Sequence, residues 1–408
     1  MKRILSVLYA ALLLGALMTL SAFAADRVLN VYNWGEYISD GSEGTLDVNA
    51  EFEKWYEETY GERVKVVYTT YASNEDMYAK LKSGAAGYDV ILPSDYMIAR
   101  MIDEGMLEKL NFDNIPNYAG ISESFRGLYY DPNDEYSIPF SYGMVGIIYD
   151  SSVVDEADVG TWDLMWNEKY TGKILQFNNS RDAFGTAMYK NGIDVNSSDS
   201  ADWQTALDEL KAQKPILQGY VMDEVFNKME SGEAAVAAYY AGDYLSMVEN
   251  NDKLAFYYPT DKDGNFATNL FVDAYCIPKG AANKELAEIY INFMLSEEIA
   301  VANAEYVCYA SPNAAVYENE TYREDMGEEA MEVLYPEGFD FAANYNKMSF
   351  HNLDADTLAA VNTLWEELML NGGMGIAVYI LAAVIVVALV AFVLYRRAVK
   401  KKREKMYE

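Results

Sequence analysis

The stretch VKVVYTTYASNEDMYAKLKSGAAGYDVILP, residues 64–93, decides the fold. Its ends, VKVVY (64–68) and YDVIL (88–92), are short runs rich in β-branched and aromatic residues, as strands require. Between them NEDMYAKLKS (74–83) has helical periodicity, with Ser73 or Asn74 placed to cap its first turn. Working outward, residues 28–32 read as a strand and 48–60 as a helix, while Pro93 stops the third strand before a helix begins at 97–104. Strands alternating with helices at this spacing predict a parallel sheet covered on both faces. Ligands of such sheets bind beyond the carboxyl ends of the strands. Two of those ends carry notable loops, NWGEY after the first strand and PSDY after the third.

From residue 138 the texture changes to IPFSYGMVGIIYD, an apolar extended segment suited to crossing between lobes as a hinge. TWDLMW and EKYTGK open a second α/β region that holds LQFNNSRDAFG, helical WQTALDELKAQ and strand-like EAAVAAYYAGDY. FVDAYCIPKG is then a strand and NKELAEIYINFMLS a helix. This is the pattern of a chain that leaves one lobe, builds a second and returns, and the length suits two lobes.

The chain ends predict export and a membrane anchor. Lys2 and Arg3, an apolar run and Ala22-Phe23-Ala24 have the form of a secretory signal peptide cleaved after Ala24, with an uncleaved signal anchor as the alternative. Residues 375–395 form an uncharged apolar stretch long enough to span a bilayer as a helix. RRAVKKKREK (396–405) follows, so the positive-inside rule puts the tail in the cytoplasm and everything before it outside. Residues 25–374 carry 22 basic and 62 acidic side chains, net −40. That field attracts cations and argues against nucleic acid as a partner, though it equally serves to keep an exported domain soluble. Cys276 and Cys308 are read as buried thiols, although the compartment permits a disulfide. With His351 as the single histidine and no Cys/His cluster, neither a zinc site nor any other cofactor is expected.

Taken in order, YNWGEY, YASNEDMYAKL, YDVILPSDY, YSIPFSYGMVGIIY, GEAAVAAYYAGDY, FVDAYCIP, LYPE and the helix at AAVNTLWEEL resemble the spermidine/putrescine-binding proteins of polyamine ABC importers. The resemblance implies a two-lobed α/β periplasmic-binding-protein-like (type II) fold with crossing hinge strands. Added to the end segments, it gives a signal peptide (1–24), lobe 1 (25–144), lobe 2 (145–270), a return to lobe 1 (271–317), a return to lobe 2 with a C-terminal helix (318–371), a transmembrane helix (375–395) and a basic cytoplasmic tail (396–408). It also implies ligand-binding residues. Trp34, Glu36 and Tyr37 match the first-strand motif, and Ser94 and Tyr96 the serine and aromatic after the third strand. Asp182 stands where the family has Glu, and Tyr240 replaces a Trp. Asp243 matches an acid of the putrescine-type branch, while Phe271 and Asp273 match an aromatic and an acid that clamp an ammonium. The chain departs from the family at Gly35, usually Thr or Ser, and at Asn179, where the spermidine branch has Asp. A further polar residue of the family falls near His351 or Asn352.

The chemistry agrees with the resemblance. A polyamine is a set of ammonium groups separated by methylenes, and needs spaced carboxylates with aromatic faces between them. The expectation is a monomeric, membrane-tethered receptor on the extracytoplasmic side that delivers polyamine to an ABC permease and its ATPase, without catalysis. A receptor for ferric ion, using Tyr239-Tyr240, or for another cation, and a non-transport surface sensor or adhesion domain, are the alternatives.

Overall fold

In the computed structural model, residues 27–84 and 87–370 are described. The predicted signal peptide, transmembrane span and basic tail lie outside them. Among the described residues no helix is long and apolar enough to cross a membrane.

The opening unit forms as read, with shifted ends. β1 (Arg27–Trp34) runs parallel to β2 (Val64–Tyr71) on one side and to β3 (Val90–Ile91) on the other. α1 (Val48–Tyr60) buries Val48, Phe52 and Tyr56, a single stripe at four-residue spacing. Asp47 caps it by accepting from the Ala50 N–H at 2.9 Å, and Gly61 ends it with φ 69°. α2 (Asn74–Lys82) is capped by Ser73, whose hydroxyl accepts from the Asp76 N–H. Asn74 is thereby freed to bond the next strand end, donating to Ser94 Oγ at 3.0 Å. α3 (Asp95–Asp103) starts two residues before its predicted beginning because Ser94 is its N-cap.

β4 (Ser137–Asp150) is the crossing strand. Through Met144 it pairs antiparallel with β9 (Leu270–Cys276), and from Val145 onward it pairs with β7 (Val236–Tyr240). One ladder therefore passes from a sheet ordered β2-β1-β3-β9-β4 into a second one, where β7 neighbours β5 (Ile174–Phe177) and β5 neighbours β6 (Leu217–Val221). β8 (Leu254–Tyr257) joins the far end of β4. Pro139 is tolerated in this central strand because the register shifts between Pro139 and Ser141. The shift sets Ser141 opposite Asp273.

The second sheet repeats the logic of the first. β5 is parallel to β6 and β7, and each is followed by a helix: α4 (Ser180–Lys190), α6 (Glu224–Glu230) and α7 (Ala241–Asn250). α5 (Ser200–Gln213) and the C-terminal α8 (Ala355–Leu370) form a separate compact unit, with Lys211 Nζ 2.6 Å from Glu367 Oε1. Cys276 and Cys308 are both buried and unpaired.

Candidate functional site

The carboxyl ends of β1 and β3 build one wall. Asn33 closes the turn after β1, accepting from the Trp34 N–H at 2.8 Å and donating to the Tyr37 carbonyl at 3.0 Å. Glu36 sits inside this turn with φ 49°, a conformation costly for a residue with a Cβ, and its carboxylate stays exposed. The Trp34 indole is fastened by an Nε1–H bond to the Leu92 carbonyl at 2.9 Å. Tyr37 turns inward and is buried, edge-on to Phe140 and Tyr309. Its hydroxyl shares a short hydrogen bond with Ser141 and donates to Asp273 Oδ2 at 2.7 Å. After β3, Tyr96 donates to Glu75 Oε1 at 2.9 Å, while Ser94 pairs by its backbone with Asp273.

The opposite wall comes from the carboxyl ends of β5 and β7. Asn179 caps α4, accepting from the Asp182 N–H and donating to Asp182 Oδ2 at 2.8 Å, and Tyr240 donates to the same carboxylate at 2.9 Å. Asp182 therefore stands on a helix N-terminus held by two donors. Arg181 points elsewhere, to the carbonyls of Val195 and His351. Asp243 lies in the first turn of α7, three residues past the N-cap Tyr240. Gly242 lets this turn come close, since a Cβ there would lie 2.6 Å from the Cys308 carbonyl. Gly242→Ala is expected to lower stability by roughly 1–3 kcal/mol in urea or thermal unfolding, as overpacking against backbone does.

All ten predicted residues, Trp34, Glu36, Tyr37, Ser94, Tyr96, Asp182, Tyr240, Asp243, Phe271 and Asp273, line one cavity that is partly open to solvent. Glu75, Asp95, Asp223, Phe226, Asn269, Tyr309 and Phe350 line it too and were not anticipated. The rule that placed NWGEY at the site also reaches Glu75 and Asp223, which follow the carboxyl ends of β2 and β6. The polar position expected near His351 or Asn352 is not filled by either. His351 stacks on Tyr129, Asn352 bonds Asp103, and Phe350 is the residue of this segment at the cavity.

The cavity's electrostatics are set by burial. It pushes the Asp273 and Asp182 carboxyls up to about 6, against the pull of the hydrogen bonds each accepts. Asp243 is pushed to about 8 by burial, opposed by a Tyr309 hydrogen bond and reinforced by the charges of Asp223 and Glu36. Burial also raises Asp95 to about 8; its oxygens accept from the Tyr345 hydroxyl and from backbone N–H groups of Tyr96 and Val272. Among the described residues, two buried acceptors, Asp273 Oδ1 and Asn269 Oδ1, have no donor. Unmet acceptors beside aromatic rings suit a ligand rich in N–H donors. No cluster of His, Cys, Asp and Glu among the described residues has a metal-holding arrangement, and the Tyr240 hydroxyl is engaged with Asp182.

Comparison with known proteins agrees with this architecture. Residues 50–329 match the bacterial extracellular solute-binding protein family. The spermidine/putrescine-binding periplasmic protein of Escherichia coli K12 is 32% identical over 305 residues, covering 74% of this chain and 83% of that protein. A putrescine-binding periplasmic protein of Pseudomonas aeruginosa is 28% identical over 390 residues, covering 90% and 99%. The solved structure of a putative spermidine/putrescine ABC transporter protein from Listeria monocytogenes superposes with a TM-score of 0.72 at 32% identity, covering 84% of this chain and 99% of that one. Sequence, two-lobed fold and cleft together establish that the chain belongs to the bacterial extracellular solute-binding proteins, a family of receptors and not of enzymes.

Proposed function

We propose that the chain is the polyamine receptor of an ABC importer, closing its two lobes on the ligand and handing it to the permease. The observation that carries this reading is the Asp273 carboxylate, buried in an aromatic-walled cavity with Oδ2 fixed by Tyr37 and Oδ1 without a donor among the described residues. An ammonium meets that oxygen with a charge-assisted N–H, and the methylenes lie against Trp34, Tyr240 and Phe271. Asp182 and Asp243, on the other wall, take further ammonium groups, so a cation neutralises repulsion that closure alone would create. The names of the E. coli, P. aeruginosa and L. monocytogenes relatives support the same ligand class. Tethering through residues 375–395, with the lobe boundaries drawn from the sequence, completes the proposal. An anchored receptor keeps a high local concentration at its permease.

Thermal unfolding of ligand-free, full-length protein tests the ligand class. Putrescine or spermidine at about 100 times Kd is expected to add about 2.7 kcal/mol and raise the midpoint by several degrees. L-arginine and L-lysine, whose carboxylates meet an acidic cavity, are expected to add nothing. A chain that no polyamine stabilises contradicts the proposal. Tyr37→Phe removes the donor to Asp273 while keeping the ring, and is expected to weaken polyamine binding roughly tenfold by calorimetry.

A further inference from the structure

Gly35 and Asp223 face each other across the cleft. Gly35 follows β1 on one wall, and Asp223 follows β6 on the other. A Cβ at position 35 would lie 2.9 Å from Asp223 Oδ2, so the glycine leaves room for that carboxylate. Gly35 has no positive φ that would demand glycine for backbone reasons. No hydrogen bond or ion pair engages the Asp223 side chain among the described residues.

Both residues, with Glu36 and Tyr37, also border a second, outer groove whose wall includes Asp40, Asp47 and Glu53. Lys65 in that groove is engaged by Glu53 at 3.0 Å. Glu36 and Asp223 thus stand at the throat between cavity and groove, one from each wall. A diamine spanning Asp273 or Asp182 to Asp243 leaves these two exposed residues of the shared lining without a cation. A longer polyamine sets a further ammonium in the throat.

Resting on the polyamine reading, we infer that Asp223, given room by Gly35, is a specificity-determining residue that holds an additional ammonium at the cleft mouth and selects triamines over diamines. Asp243 lines the same cavity as Asp223 and Glu36, as this arrangement requires. Asp223→Asn removes the partner of the mouth ammonium and, with it, the repulsion that Asp223 exerts on Asp243. Gly35→Ala pushes the Asp223 carboxylate off its position without changing any charge.

The test is calorimetry of full-length wild type, Asp223→Asn and Gly35→Ala with putrescine and spermidine. Wild type is expected to bind spermidine more tightly. Both variants should lose at least roughly tenfold in spermidine affinity, the range of one charge-assisted hydrogen bond, with putrescine affinity unchanged or improved. Equal losses for both ligands, or no loss for spermidine, would overturn the role of Asp223 while leaving the polyamine reading intact. A wild type that binds neither ligand overturns both.

Discussion

Asp273→Asn is expected to weaken polyamine binding at least roughly 100-fold while leaving the fold in place. The substitution keeps size and an acceptor for the Tyr37 hydroxyl, which donates to Oδ2 at 2.7 Å. What it removes is the charge opposite a bound ammonium, in a strand whose every residue is buried. Breaking a buried charge pair from one side costs about 3–5 kcal/mol, or roughly two to three and a half orders of magnitude in affinity. Glu328→Gln, at an exposed position far from the cavity lining, is the matched control and should change affinity less than twofold. Calorimetry that finds the two variants alike would remove Asp273 from the site.

The second large effect is on pH. Asp273 and Asp182 are pushed up to about 6, and Asp243 and Asp95 to about 8, above the ordinary carboxylate range near 4. Between about pH 4 and 8 the folded, ligand-free chain therefore holds protons that the unfolded chain has released. Its stability from these groups is fully present below pH 4 and is lost as pH rises through 6 to 8. Ligand binding has the opposite sign, because ammonium groups need ionised partners and displace those protons. Polyamine affinity is expected to rise at least roughly tenfold from pH 6 to pH 8. At pH 7 the heat of binding should vary with the ionisation enthalpy of the buffer. An affinity flat across this range, with no buffer dependence, would contradict the electrostatics of the cavity.

The parts of the fold written in buried, regular segments were the legible ones. VYNW, YDVIL and VAAYY are apolar because covered strands must be, and α1 shows its buried stripe as a four-residue repeat. β6 (LQGYV) and β8 (LAFY) carry no strand signal in the sequence. They are half-exposed, and a sheet margin imposes little composition. In the site, Trp34 and Glu36 stood out because a strand end seldom carries an indole and a carboxylate together. Glu75 and Asp223 did not, because SNED and MDEV have the composition of ordinary helix starts. Tyr309 had no local signal at all, since it reaches the cavity through tertiary contacts alone, packing against Tyr37 and Phe271 and hydrogen bonding to Asp243. Tyr37 shows a different limit. Its ring was read as a wall for methylenes, yet its hydroxyl is committed to Asp273 and Ser141, a partnership across more than 100 residues of chain that no motif displays.

What decides the function is whether the two-lobed cleft of this chain takes a linear polycation. Calorimetry of full-length protein, stripped of ligand by unfolding and refolding, against putrescine, spermidine, spermine, L-arginine and L-lysine tests it most directly. Saturable one-to-one binding of at least one polyamine, and no heat with the amino acids, is expected. Refolded protein that gives no heat with any polyamine, or that binds the amino acids instead, would contradict it.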